Sequence, residues 1–204
     1  MSRFTARRLG MALLAAALFP ACSPASRAAA DAKVGSAAPD FTLRDQAGTD
    51  HSLSAYRGRV VVLEWINPNC PFSRRHAEEG TMTRLAKANS EAVWLAINST
   101  AQGHKDFLAP EQHAAFNGKH GITYPILYDT DGKVGRAYDA RTTPHMIVVD
   151  EQGRIVYDGA IDDDAYGRKE QRTNYVAAAL EAHAAGRAPD PAATQPYGCS
   201  VKYE

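Results

Sequence analysis

Three apolar runs of strand length mark the middle of the chain: Val60–Ile66, Ala92–Ile97 and Tyr124–Tyr128. The first is broken only by Glu64. Such near-continuous apolarity over so few residues is what a strand buried on both faces looks like. Helical patterns lie between the runs. One starts at Pro71 and extends to about Asn89, with Phe72, Met82, Leu85 and Ala86 as its buried stripe and an interruption at Gly80. The next covers Pro110 to about Lys119, with Ala114, Ala115 and Phe116 inside and Gly121 after its end. Upstream, Ala38–Leu43 reads as a short strand followed by a turn at Ala47-Gly48. Downstream, Asp129-Thr130-Asp131-Gly132 is a turn into a short helix over Val134–Tyr138. Met146–Val149 and Ile155–Tyr157 form a hairpin around Asp150-Glu151-Gln152-Gly153. A final amphipathic helix covers Asn174–Ala185, and beyond Gly186 a Pro-, Ala- and Thr-rich segment reads as an extended tail. Alternating strands and helices predict an α/β fold of three layers. Its central mixed sheet combines parallel βαβ units with the antiparallel C-terminal hairpin.

The chemistry concentrates where the first run ends, at Asn67-Pro68-Asn69-Cys70-Pro71-Phe72-Ser73-Arg74-Arg75-His76. Cys70 falls at the start of a helix. There the unpaired N–H groups and the positive end of the macrodipole favour a thiolate, Pro71 suits the first turn, and Arg74 and Arg75 add positive charge. A buried structural thiol is the plain alternative. Position 73 is Ser, so no Cys-x-x-Cys pair exists and an oxidised Cys70 needs another partner. Glu64 is either a buried acid of raised pKa that handles protons or a strand-end residue whose head reaches solvent. Thr143-Pro144-His145 precedes a strand. Pro144 there is an edge residue or a cis-proline, and His145 is placed to perturb a nearby thiolate. His76, six residues along the helix, is turned away from Cys70. Cys199 is a resolving thiol or a lone cysteine. Ligand-type residues are scattered and show no metal-binding spacing, so no metal or other cofactor is expected.

Residues 1–30 read as a leader rather than as part of the fold. Arg3, Arg7 and Arg8 precede an apolar stretch, Leu9–Phe19, and Ala28-Ala29-Ala30 offers a cleavage site. Arg7-Arg8 loosely fits a twin-arginine signal, and Cys22 would anchor the chain to a membrane only if lipidated. The expected organisation is therefore a leader (1–30), a core domain (31–186) and a tail carrying Cys199 (187–204), exported to the periplasm or cell envelope. Without the leader the chain has 19 Lys+Arg against 23 Asp+Glu, a net charge of −4. That balance argues against a nucleic-acid partner. It also leaves two cysteines, Cys70 and Cys199, compatible with a disulfide in an oxidising compartment.

Four stretches together resemble the peroxiredoxin-like (redoxin, AhpC/TSA-type) branch of the thioredoxin superfamily. They are Gly35-Ser36-Ala37-Ala38-Pro39-Asp40-Phe41-Thr42-Leu43, the segment from Glu64-Trp65 to Pro71-Phe72, Thr143-Pro144-His145, and Pro196-Tyr197-Gly198-Cys199-Ser200-Val201-Lys202-Tyr203. The resemblance implies a thioredoxin-like fold with Cys70 as nucleophile and a cis Pro144. It also implies a Thr143 backbone that faces the sulfur and Glu64 at a buried-acid position. Two departures separate the chain from the familiar activities. Leu63 and Asn67 stand where true peroxiredoxins carry a proline and a hydroxyl residue, the latter three before the cysteine. Ser73 stands where thioredoxins carry their second cysteine. The implied function is a thiol oxidoreductase acting on peroxide or on protein or small-molecule thiols and disulfides, with an external reductant. The alternative is a thioredoxin-fold binding or metal-handling module.

Overall fold

The computed structural model describes residues 32–203, together with Met1. Fourteen elements follow in order: β1 Thr42–Asp45, β2 Asp50–Ser52, β3 Val61–Trp65, α1 Pro71–Glu78, α2 Thr81–Ala88, β4 Val93–Asn98, α3 Pro110–His120, β5 Ile126–Tyr128, α4 Lys133–Ala137, β6 Thr142–Thr143, β7 His145–Val149, β8 Ile155–Gly159, α5 Tyr175–Ala184 and β9 Cys199–Ser200. A turn of 3-10 helix, Leu53–Tyr56, follows β2. Seven strands form one mixed sheet in the order β2-β1-β5-β4-β3-β7-β8, and β6 and β9 form a separate antiparallel pair.

The two-sided apolarity of β3 explains its central position. Val61, Leu63 and Trp65 face one layer, packed with Phe41, Leu53, Ile97, Leu127, Tyr138 and Ile147. Val62 faces the other, packed with Met82, Ala96, Ile126, Val148, Val176 and Leu180. β3 and β4 run parallel, as do β4 and β5, while β7 and β8 add antiparallel partners on the far side of β3. Burying a large aliphatic side chain on either face contributes about 1.5–3 kcal/mol, so a strand sealed on both faces is hard to displace.

Two local expectations change in detail. The helix expected from Pro71 to Asn89 is two helices. Gly80 takes a left-handed conformation (φ +62°), ends α1 at Glu78 and starts α2 at Thr81. The first strand lies later than Ala38–Leu43, because Asp45 accepts from the amides of Ala47 and Thr49 and tightens a turn. That turn pairs β1 with the polar β2, a strand with no apolar signature.

The tail folds back onto the domain. Residue 193 bridges to Asp158, and the Thr194 hydroxyl accepts from the Ala160 amide. The chain then crosses the end of the sheet to pair β9 with β6, matching Thr142 with Ser200 and Thr143 with Cys199. Among the described residues no helix is long and apolar enough to cross a membrane. The expected leader, its cleavage site and Cys22 lie outside the described residues.

Candidate active site

β3 ends at Trp65, and a five-residue loop, 66–70, delivers the chain to α1. Asn67 shapes this loop. Its Oδ1 accepts from the Asn69 amide (2.8 Å), its carbonyl accepts from the Cys70 amide (2.9 Å), and its Nδ2 donates to Thr100 Oγ1 (3.1 Å). Cys70 is the N-cap of α1, with extended backbone (φ −81°, ψ 124°), and Pro71 occupies the first turn. In this position the missing proline N–H costs nothing and the helix starts at once.

The Cys70 sulfur is enclosed, with the residue only 3% exposed. Its thiol donates to the Thr143 carbonyl (2.9 Å), and the peptide bond from Thr143 to Pro144 is cis. The tail supplies the rest of the enclosure. The Cys199 amide donates to Cys70 Sγ at 3.4 Å, and both cysteines are free thiols. Burial pushes the Cys70 pKa up, but hydrogen bonds from the Cys199 thiol, the Ser73 amide, Thr143 and the Cys199 amide together hold it below the ordinary thiol value. The Thr143 hydroxyl is buried with no other partner, so it is available to a thiolate. Cys199 moves the opposite way. Burial, then its contact with Cys70, push it up to about 11. The pair thus has one sulfur poised to ionise and one that keeps its proton.

Glu64 is buried, 4% exposed, and accepts from the Tyr124 hydroxyl (2.9 Å). Burial raises its pKa from 4.5 to about 7, against the smaller lowering effect of Tyr124. The carboxyl head therefore lies inside the fold and does not reach solvent. A folded-state pKa raised above the unfolded value contributes stability that is complete below pH 4.5 and is lost as pH rises through 7. The shift corresponds to about 3 kcal/mol. Denaturant titrations should therefore find the protein more stable at pH 5 than at pH 8. Glu64→Gln should flatten that slope, and an unchanged slope would show that Glu64 does not ionise in the fold.

The remaining site candidates take up partners of their own. Arg74 Nε donates to the Pro68 carbonyl (3.1 Å). Arg75 pairs with Glu79 (3.2 Å) and donates to the Asp164 carbonyl (2.8 Å). Both guanidinium groups thus have hydrogen-bond partners other than the sulfur. His145 is buried against Trp65, its Nε2 lies 2.6 Å from Asp158 Oδ1, and its Nδ1 accepts from the Arg141 amide.

Two residues on which no role was placed prove central. Gly198 adopts φ +138°, and a Cβ there would overlap the Thr143 carbonyl oxygen and sit 2.7 Å from its carbon. Tyr197 plugs into α1 beside Phe72 and His76. Both lie in the C-terminal motif, but nothing in their spacing says which surface they meet. The end of the tail is fastened as well. Tyr203 donates to the Ala140 carbonyl (2.5 Å) over Gly132 and Gly135, where a Cβ would come within 2.5 Å of its ring or hydroxyl.

The family model described as AhpC/TSA family matches residues 34–158. The chain belongs to the AhpC/TSA family. Among curated relatives, the thiol-disulfide oxidoreductase ResA of Geobacillus kaustophilus is 32% identical over 60% of this chain and 66% of its own length. Peroxiredoxin Q of rice is 29% identical over 60% of this chain and 57% of its own. This chain therefore spans only part of the length of each. Among solved structures, a hypothetical protein of Sinorhizobium meliloti superposes with a TM-score of 0.76 at 26% identity, over 86% of this chain and 97% of that one. The thioredoxin domain of a Bacteroides vulgatus thiol-disulfide oxidoreductase gives 0.51 at 23% identity, over 66% and 93%. The AhpC/TSA chain accordingly has a thioredoxin-like fold, as the motifs imply.

Proposed function

We propose that this AhpC/TSA chain is a thiol-disulfide oxidoreductase that cycles between the Cys70/Cys199 dithiol and a Cys70–Cys199 disulfide. The observation that carries this reading is the β6–β9 pair, which sets the Cys199 amide 3.4 Å from Cys70 Sγ across 128 intervening residues. The Cys70 thiolate attacks one sulfur of an external disulfide. A mixed disulfide forms, the old S–S bond breaks, and one thiolate leaves with the electron pair. Cys199 loses its proton and attacks Cys70 Sγ, expelling the second thiolate. The two departing thiolates take up two protons, and two electrons have passed from the protein to the substrate. An external dithiol reverses the cycle. Glu64, near the end of β3 and titrating close to neutrality, serves in this reading as a proton store.

Disulfide exchange is favoured over peroxide reduction by Asn67. At the position of the peroxide-orienting hydroxyl, its amide is committed to Asn69 and Thr100. Hydrogen peroxide should thus oxidise Cys70 about as slowly as free cysteine in a stopped-flow experiment, and rapid oxidation would favour the peroxidase reading instead. The leader-like pattern of residues 1–30 supports a reaction outside the cytoplasm, where disulfides persist. The direct test is incubation of the reduced protein with oxidised glutathione, followed by peptide mapping. A Cys70–Cys199 bridge is expected, and finding only mixed disulfides with glutathione would overturn the proposal. Cys199→Ser should convert the product to a stable Cys70–glutathione adduct.

A further inference from the structure

We propose that Tyr197 is the positioning residue that holds Cys199 on Cys70, an inference that rests on the two-cysteine reading above. Tyr197 lies two residues before Cys199, and its hydroxyl is the hub of a buried polar cluster. It donates to Asp162 Oδ1, lies 2.8 Å from His76 Nε2 and accepts from Arg75 at 3.4 Å. Its ring stands 6.1 Å from the rings of both Phe72 and His76. Phe72, Arg75 and His76 sit at helical spacing on one face of α1, the helix capped by Cys70 itself. The tail is thus fastened to the element that carries the nucleophile, and the register between the two sulfurs is set within one rigid unit.

The cluster is built to be specific. Asp162 is 3% exposed, it also lies 3.7 Å from Arg172, and its Oδ1 accepts from the Asp164 amide. His76 is buried, and its Nδ1 faces Thr81 Oγ1 at 3.3 Å. A tyrosine hydroxyl placed among such groups needs partners, and removing it leaves buried polar atoms unpaired. From Tyr197 the chain turns through Gly198, whose φ of +138° lets β9 approach Thr143. Beyond Cys199 the tail is also held by Tyr203 on the Ala140 carbonyl and by the Val201 amide on the Arg141 carbonyl, whereas Tyr197 ties it to α1. A fastened partner raises the effective concentration of the Cys199 thiol at Cys70 without any new contact to the sulfur.

The test is Tyr197→Phe, which keeps the ring and removes only the hydroxyl. The disulfide equilibrium constant against glutathione buffers, read by acid quenching and peptide mapping, should fall about tenfold, the loss of one buried hydrogen bond to a charged group. The rate at which iodoacetamide alkylates Cys70 in the reduced protein should rise several-fold as the tail loosens. Asp162→Asn, which weakens the acceptor without removing it, should shift both in the same direction by less. It serves as the second variant if Tyr197→Phe does not fold. Values within about twofold of wild type, or a lowered thermal midpoint with both thiol readouts unchanged, would reduce Tyr197 to a packing residue and overturn the proposal. A wild-type protein that forms no Cys70–Cys199 bridge would instead defeat the two-cysteine reading. The alkylation rate would still report whether Tyr197 holds the tail over Cys70.

Discussion

Cys70→Ser should abolish thiol-disulfide exchange, with a loss of at least about a hundredfold in the reduction of a model disulfide. The reacting species is the thiolate, and the largest lowering influences on Cys70 are hydrogen bonds aimed at its sulfur: the Cys199 thiol and amide, the Ser73 amide and Thr143. A serine hydroxyl in that setting remains protonated and donates to the Thr143 carbonyl, so the geometry survives while the nucleophile disappears. Burial, the largest influence raising the Cys199 thiol, persists in this variant and makes Cys199 a poor replacement at neutral pH. The measurement is the turnover of an insulin-type or glutathione disulfide with a dithiol reductant. A Cys70→Ser protein that retained a tenth of wild-type turnover would show that the nucleophile lies elsewhere.

Gly198→Ala should release the tail. The added Cβ overlaps the Thr143 carbonyl oxygen and lies 2.7 Å from the carbonyl carbon and 3.2 Å from Pro144 N. All three are backbone atoms and cannot swing aside as a side chain would. The φ of +138° is in addition a region that L-residues rarely adopt. Strain and overlap act together, so the short β6–β9 pair should be lost rather than adjusted. Cys70 then gains solvent, and its alkylation should rise tenfold or more. Bridge formation on oxidation should slow to a similar degree. The seven-stranded sheet does not include β9, so the thermal midpoint should fall by only a few degrees. Wild-type alkylation kinetics in Gly198→Ala would mean that the tail tolerates the side chain, and that Gly198 is not what admits it to Thr143.

These two residues differ in how visible they are in the chain. Cys70 is legible because its chemistry is local: an apolar strand, a short loop, and a proline at the first turn follow one another in sequence, and helix N-termini favour anions wherever they occur. The same locality reveals β3, β4, the hairpin of β7 and β8, and α5, each of which has a periodicity fixed by its own burial. β2 escapes notice because Asp50-His51-Ser52 has no apolar face and exists only through pairing with β1. The partners of Arg74 and Arg75 are hidden for a related reason. The charge of the arginines is evident from sequence, but the direction in which a long side chain turns depends on the carbonyls and carboxylates that surround it.

The sequence by itself determined an α/β fold with alternating strands and helices, a thiol at a helix start, an acid within a strand apolar on both faces, and a Thr-Pro step before another. These features depend on local propensity, on hydrophobic period and on residue type. Only the tertiary structure decided that the tail closes over Cys70, that Gly198 lets it approach, and that Tyr197 fastens it to α1. It also decided that Glu64 is sealed and that hydrogen bonds from Cys199, Ser73 and Thr143 reach the sulfur. Most of these depend on which surfaces meet across some 55 to 129 residues, from Gly198 against Thr143 to Cys199 against Cys70, and a linear pattern carries no record of the distance between parts of the chain that fold together.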